Sequence, residues 1–244
     1  MMRTIIFLAI VLVSGALAGT IHGIANLAMV EPYLDEAIGI ENQNLFASGE
    51  EEDTPQFWVE YDAYRDWQKG GQVLAGVILG TSIGALFGIV YALSRNALPQ
   101  GNDLKKAFVL AAIMWFSIYI IPFLKYPANP PTVGDGETVV LRAILYLSFI
   151  AISGFGVVGF YQLYKRMEKG KKVAAVAGYA VFIAAVFVLM PPNPDKITSP
   201  MDLVNGFRAM SVVAVSVFWV SLAFILGALW NKFNPDSKAK LEKH

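Results

Sequence analysis

Residues 71–93 read GQVLAGVILGTSIGALFGIVYAL. These 23 residues contain no Asp, Glu, Lys or Arg. About 20 consecutive apolar residues suffice for a helix to cross the hydrocarbon core of a bilayer. In lipid only a helix or a closed barrel satisfies its own backbone hydrogen bonds, so the stretch predicts a spanning helix. Gly76, Gly80, Gly84 and Gly88 recur every fourth residue and fall on one face. Such small-residue seams let two helix backbones approach closely where water supplies no driving force for association. A minority reading of the seam is that it permits sliding or rocking during transport.

Five other stretches behave alike. Spans are expected at Thr4–Val30, Ala107–Leu124, Val139–Leu163, Val173–Met190 and Phe207–Trp230. None has an acid at mid-depth, as the cost of burying charge in hydrocarbon requires. The first span repeats the glycine spacing at Gly15, Gly19 and Gly23. The expected fold is an all-α, polytopic membrane bundle of about six transmembrane helices, residues 1–244 forming one membrane domain. Composition agrees: 56% of residues are hydrophobic, 16% are charged and the mean hydropathy is +0.52. Soluble domains carry about 25% charged residues. With no Cys, disulfides and thiolate metal sites are excluded. The histidines are His22 and His244, too few for a His-rich zinc site. The run Gly154-Phe155-Gly156-Val157-Val158-Gly159 has dinucleotide-loop spacing but lies inside a span, without the βαβ context that gives it meaning.

Charge fixes the expected orientation. Thirteen of the nineteen Lys and Arg fall in the N-terminus, the loops 95–106 and 165–172, and the tail after Trp230. The positive-inside rule then makes both termini cytoplasmic. Met1–Ala18 also resembles a signal peptide with a small-residue cleavage pattern. The apolar run continues to Val30, which favours an uncleaved first span.

Residues 31–70 form the outer acidic loop. Eleven carboxylates there stand against Arg65 and Lys69, a net charge of −9. Such a field concentrates cations, and carboxylates are hard oxygen ligands for divalent metals. The plain alternative is a solvated loop that keeps the outer face soluble. Glu50–Asp53 is a self-repelling block expected to be mobile. Phe57, Tyr61, Tyr64 and Gln68 recur at helical spacing beside Trp58 and Trp67, which predicts an amphipathic interfacial helix. Asp62 and Asp66 share one face of it. Asp35 and Glu36 follow Pro32, as in the first turn of a short helix. His22 and Asn26, one turn apart in the first span, are either an interhelical hydrogen-bonding pair or part of an ion path descending from Glu31. The metal candidates are therefore His22, Glu31, Asp35, Glu36, Asp62 and Asp66.

Two outer turns look like a parallel hairpin repeat. Tyr126-Pro127-Ala128-Asn129-Pro130-Pro131 precedes Arg142, and Met190-Pro191-Pro192-Asn193-Pro194 precedes Arg208. The arginines are expected to organise these turns by pairing with acids of the long loop, with Asn129 and Asn193 as pathway or structural residues. The plain reading is that Pro ends helices and Arg snorkels to the interface.

The outline resembles the CbtA family of predicted cobalt transporter subunits. The resemblance rests on Val30-Glu31-Pro32-Tyr33-Leu34-Asp35-Glu36-Ala37 after a Gly- and Ala-rich span, on the Gly-rich second span, on Pro127-Ala128-Asn129-Pro130-Pro131-Thr132-Val133-Gly134, and on Arg142 opening the fourth span. The chain departs from the family where Asn129 replaces a customary acid and where an aromatic pair after the arginine is absent. The resemblance implies cobalt as substrate and a small single-span partner subunit.

The expected function is a membrane subunit of a divalent-cation (cobalt) transporter, with no resident cofactor. The alternative is a non-transporting structural or accessory subunit of a larger membrane complex. Partners are the bilayer, the single-span subunit and further copies of the chain, not nucleic acid. No acid–base constellation marks an enzyme.

Overall fold

The computed structural model describes residues 3–131 and 133–235. Thr132 lies outside them, as do Lys238, Lys240, Lys243 and His244 of the tail. Seven helices follow one another: α1 Thr4–Met29, α2 Glu31–Ser48, α3 Pro55–Ser94, α4 Asp103–Lys125, α5 Val139–Arg166, α6 Lys172–Leu189 and α7 Met201–Phe233. All except α2 belong to segments long and apolar enough to cross a membrane, six in total among the described residues.

The region 31–70 is largely helical rather than a loop. Pro32 sits in the first turn of α2, where its missing N–H has no intrahelical partner to lose. Gly49 ends α2 with a left-handed φ of 76°, a conformation that costs glycine nothing. Thr54 then caps α3 by accepting a hydrogen bond from the Phe57 N–H at 3.2 Å, with Pro55 at the helix start. The acidic block 50–53 is thus held between two caps, and Asp53 accepts from the Trp58 indole N–H at 2.7 Å.

The expected interfacial helix is not a separate element. Residues 57–68 are the opening turns of a 40-residue α3 that runs on through the second span. At 1.5 Å per residue α3 is about 60 Å long, roughly twice the hydrocarbon thickness. No Gly or Pro interruption separates the aromatic turns from the span strongly enough to bend it. Gly70 and Gly71 cost helix propensity, but they do not break the i→i+4 ladder as an interior Pro would.

The chain divides into two compact units, one built from residues up to Ala112 together with those from Ala209, the other Ile113–Arg208. In the first unit α1 and α3 pack backbone to backbone and antiparallel. Gly15 faces Gly80 and Gly84, Gly19 faces Gly76, and Gly23 faces Val73. A Cβ built on Gly80 would stand 2.5 Å from the Gly19 Cα and 2.6 Å from the Gly15 carbonyl oxygen. The opposite end of the unit closes on Trp230, whose fully buried ring meets Tyr91 at 4.9 Å and Phe7 at 5.9 Å. The Tyr91 hydroxyl donates to the Asp103 carboxylate at 2.7 Å.

The second unit packs around Ile121, Tyr126, Leu145 and Phe149. Within α4, residues Trp115–Ile120 form a π-helical stretch in which the Ile121 N–H donates to the Phe116 carbonyl. In that register the Ser117 carbonyl would next take an N–H from residue 122, but Pro122 has none. The buried Ser153 hydroxyl donates to the Ser117 carbonyl instead, at 2.7 Å. Its proton committed, Ser153 accepts from the Tyr179 hydroxyl at 2.8 Å.

The seam makes a measurable claim. Gly80→Ala should lower the thermal stability of the purified protein by about 2 kcal/mol or more, because the new methyl group meets backbone that cannot rotate away. Gly159→Ala, with open space at its Cβ, should leave the melting temperature unchanged or slightly raised.

Candidate functional site

At the α2 end of the first unit, two helical spacings interlock. Glu31 and Asp35 are four apart on α2, and Arg65 and Lys69 are four apart on α3. The buried Arg65 guanidinium donates to Glu31, to Asp35 Oδ1 at 2.8 Å and to Gln68 Oε1 at 2.6 Å. Lys69 Nζ reaches Asp35 Oδ2 at 3.0 Å. The side chains of Arg65 and Glu31 are both nearly inaccessible to solvent. A buried charge without its partner is costly, so each of these two holds the other in place. A cavity of about 550 Å³ opens beside the cluster, lined by Glu31, Leu34, Arg65, Trp67, Gln68 and Gln72 among others.

Burial pushes the Asp35 carboxyl up, but the hydrogen bonds and charges of Arg65 and Lys69 outweigh it, so its pKa lies below the ordinary carboxylate value of 3.8. Glu36, Asp62 and Asp66 are exposed and do not join the cluster. Among the described residues no three His, Asp or Glu side chains stand close enough together to hold a metal ion.

His22 lies farther down α1. One ring nitrogen, Nδ1, is 3.1 Å from the Ala214 carbonyl of α7, and the other, Nε2, is 3.2 Å from the Asn26 amide nitrogen. The amide and the carbonyl together assign the proton to Nδ1, which donates to Ala214 while Nε2 accepts from Asn26. The interhelical hydrogen bond expected from this pair is therefore present. The Phe218 ring packs edge-on against the imidazole at 5.8 Å.

In the second unit Arg142 and Arg208 clamp the proline turns reciprocally. Arg142, at the entry of α5, pairs through Nε with Asp195 of the turn between α6 and α7 at 2.7 Å and donates to the Asp135 carbonyl at 3.2 Å. Arg208, in the first turns of α7, donates to the Ala128 carbonyl at 3.2 Å and to Asn129 Oδ1 at 2.7 Å, both in the turn between α4 and α5. These partners replace the expected acids of the long loop. The reason is reach: each guanidinium enters its helix beside the other hairpin's turn, where carbonyls and one carboxylate already need donors. Asp195 escaped the sequence reading, although it is the acid that directly follows the Asn193-Pro194 pair. Asn193 accepts from the Asp195 backbone N–H at 3.0 Å. Gly134, at φ 115°, leaves the space that lets the Arg142–Asp195 pair form, since a Cβ there would stand 2.5 Å from Asp195 Oδ2.

The family model described as "Probable cobalt transporter subunit (CbtA)" matches residues 3–231. The chain belongs to the CbtA family. No curated protein and no solved structure matches it. As a CbtA chain with six apolar helices of spanning length, it is a multi-pass membrane protein whose solvent includes lipid.

The Asp35 shift has a definite sign. A carboxyl whose folded pKa is depressed adds stability that is complete above 3.8 and is lost as pH falls through the lower folded value. The Asp35 side chain is 42% exposed, so solvent screening holds its contribution below about 1 kcal/mol. Thermal unfolding should therefore show the native chain slightly more stable than Asp35→Asn at pH 6, and the difference should shrink as pH drops below 3.8.

Proposed function

We propose that this CbtA chain is the polytopic subunit of a divalent-cation uptake system with cobalt as its substrate. The observation that carries the reading is the family match over residues 3–231, joined to the convergence of Glu31 and Asp35 on one point beside an open cavity. The acidic segment 31–70 collects cations at the outer face by its field. Glu31 and Asp35 form the mouth with Glu36 beside them, Asp62 and Asp66 add to the field, and His22 with Asn26 lies deeper in α1.

The ion pairs suit a cargo ion better than a resident one. Arg65 holds Glu31 and Asp35 at one place, and Lys69 holds Asp35 from the other side, so an arriving divalent cation exchanges with cationic side chains. A transport site must bind strongly enough to load and weakly enough to release. Competition from Arg65 and Lys69 lowers the net affinity in that direction. Energy must come from an ion gradient or another chain, since no nucleotide-binding motif is present in this sequence. The small single-span subunit implied by the resemblance is the partner we assign, in a membrane complex with both termini cytoplasmic.

Two measurements test this. Cobalt uptake into vesicles bearing the protein, with its partner supplied, should fall to the empty-membrane level in Asp35→Asn/Glu36→Gln and in His22→Ala at matched expression. Native-level uptake in all of these variants would exclude a path along α1 and α2, and no uptake by the native chain would make it an accessory subunit. Orientation is accessible because the chain has no Cys. A single Glu51→Cys should label with a membrane-impermeant maleimide in intact cells, and Gly170→Cys should label only after permeabilisation. The reverse pattern would invert the topology.

A further inference from the structure

The second unit contains a cavity of about 350 Å³ at its proline turns that the cobalt reading does not use. Its walls are the rings of Tyr119, Phe123, Tyr126 and Tyr146, and its polar lining is Asn129, Asn193 and Arg142. No carboxylate is among its described lining residues. The volume is that of a small-molecule site rather than a packing defect.

The hydrogen bonds around it decide what it can hold. An arginine only donates, so the Asn129 atom facing Arg208 must be the amide oxygen. A backbone N–H only donates, so Asn193 likewise spends its oxygen on Asp195. Both asparagines therefore keep NH₂ groups as what they can offer the cavity. The Ala128 carbonyl accepts from Arg208, and the Tyr126 hydroxyl donates its proton to the Pro191 carbonyl at 2.6 Å. The unspent donors are the two amide NH₂ groups, while the Tyr119 and Tyr146 hydroxyls can act either way.

Charge points in the same direction. Asp195 lies against Arg142 and also accepts from the Thr138 hydroxyl at 2.7 Å, so it balances one guanidinium. The described partners of Arg208 are neutral acceptors and leave its charge uncancelled. The Asp135 carboxylate instead accepts from the Glu137 N–H at the exposed turn, and Glu137 is itself exposed. Arg208 is not itself a lining residue; bonded to Ala128 and Asn129, it sets one uncancelled positive charge directly behind the wall, whose own faces are N–H donors and flat aromatic rings.

We propose that this cavity binds a small monocarboxylate with a flat or apolar body. One carboxylate answers the Arg208 charge behind the wall and takes N–H donors on its oxygens from the lining Asn129, Asn193 and Arg142. The body stacks on the tyrosine and phenylalanine rings. The inference goes beyond the cobalt reading and does not depend on it.

The test is calorimetric titration of the full chain in phosphatidylcholine nanodiscs with sodium benzoate, and separately with inorganic phosphate. Saturable benzoate binding is expected, tighter than phosphate. Asn129→Asp/Asn193→Asp keeps an oxygen acceptor for Arg208 and for the Asp195 N–H, so the melting temperature should hold. The added negative charge should weaken benzoate at least about tenfold. Should that variant unfold, Tyr146→Leu removes one ring without touching the turn contacts and should weaken benzoate about threefold to tenfold. The proposal is overturned by no saturable benzoate binding, by phosphate binding more tightly, or by affinity unchanged in the folded variants.

Discussion

The contact on which the first unit depends is the bare-backbone approach of α1 to α3. In lipid, apolar side chains gain nothing by leaving their solvent, so helix association rests on close packing and polar contacts. Gly15, Gly19 and Gly23 against Gly76, Gly80 and Gly84 bring the two backbones to a separation that any Cβ would prevent. The dispersion contacts so gained are individually small and numerous. They fix the register of one helix along the other, because a slip of one residue along α3 would place Leu79 and Ile83, or Val77 and Thr81, where glycine now stands.

That register sets the position of Arg65. The guanidinium lies on α3 one and a half turns before the span, opposite the point where α1 hands over to α2. Pro32 starts α2 at that point and sends Glu31 and Asp35 toward α3 on consecutive turns. The seam thus holds two helix ends close enough for Glu31 and Asp35 to reach Arg65, with the Arg65–Glu31 pair nearly inaccessible and Asp35 partly open to solvent. The second unit achieves its closure differently. Its spans carry few glycine contacts, and its order comes from arginines gripping the turns together with a serine that replaces the N–H missing at Pro122.

Hydrophobic length and glycine spacing made the six spans and the seam legible in the sequence, since both depend on residues near one another in the chain. The short helix after Pro32 was legible for the same reason. The fusion of residues 57–68 with the second span was not: aromatic periodicity reports a helix but not where it ends, and Gly70-Gly71 looks like a boundary. At the candidate site, Glu31 and Asp35 stood out as acids after a span, but their partner Arg65 lies 34 and 30 residues away. Sequence placed Arg142 and Arg208 at helix entries without revealing that each reaches the other hairpin's turn. The π-helical stretch in α4 had a local signal in Pro122, but the Ser153 hydroxyl that completes it comes from another helix.

The central claim is that Glu31 and Asp35 form a cation-exchange mouth, with Arg65 and Lys69 as the ions displaced. Calorimetric titration of cobalt into the full chain in nanodiscs tests it most directly. The account predicts saturable binding in the native chain and its loss in Glu31→Gln/Asp35→Asn. Cobalt binding of equal affinity in the folded double variant, or no binding by the native chain, would contradict it.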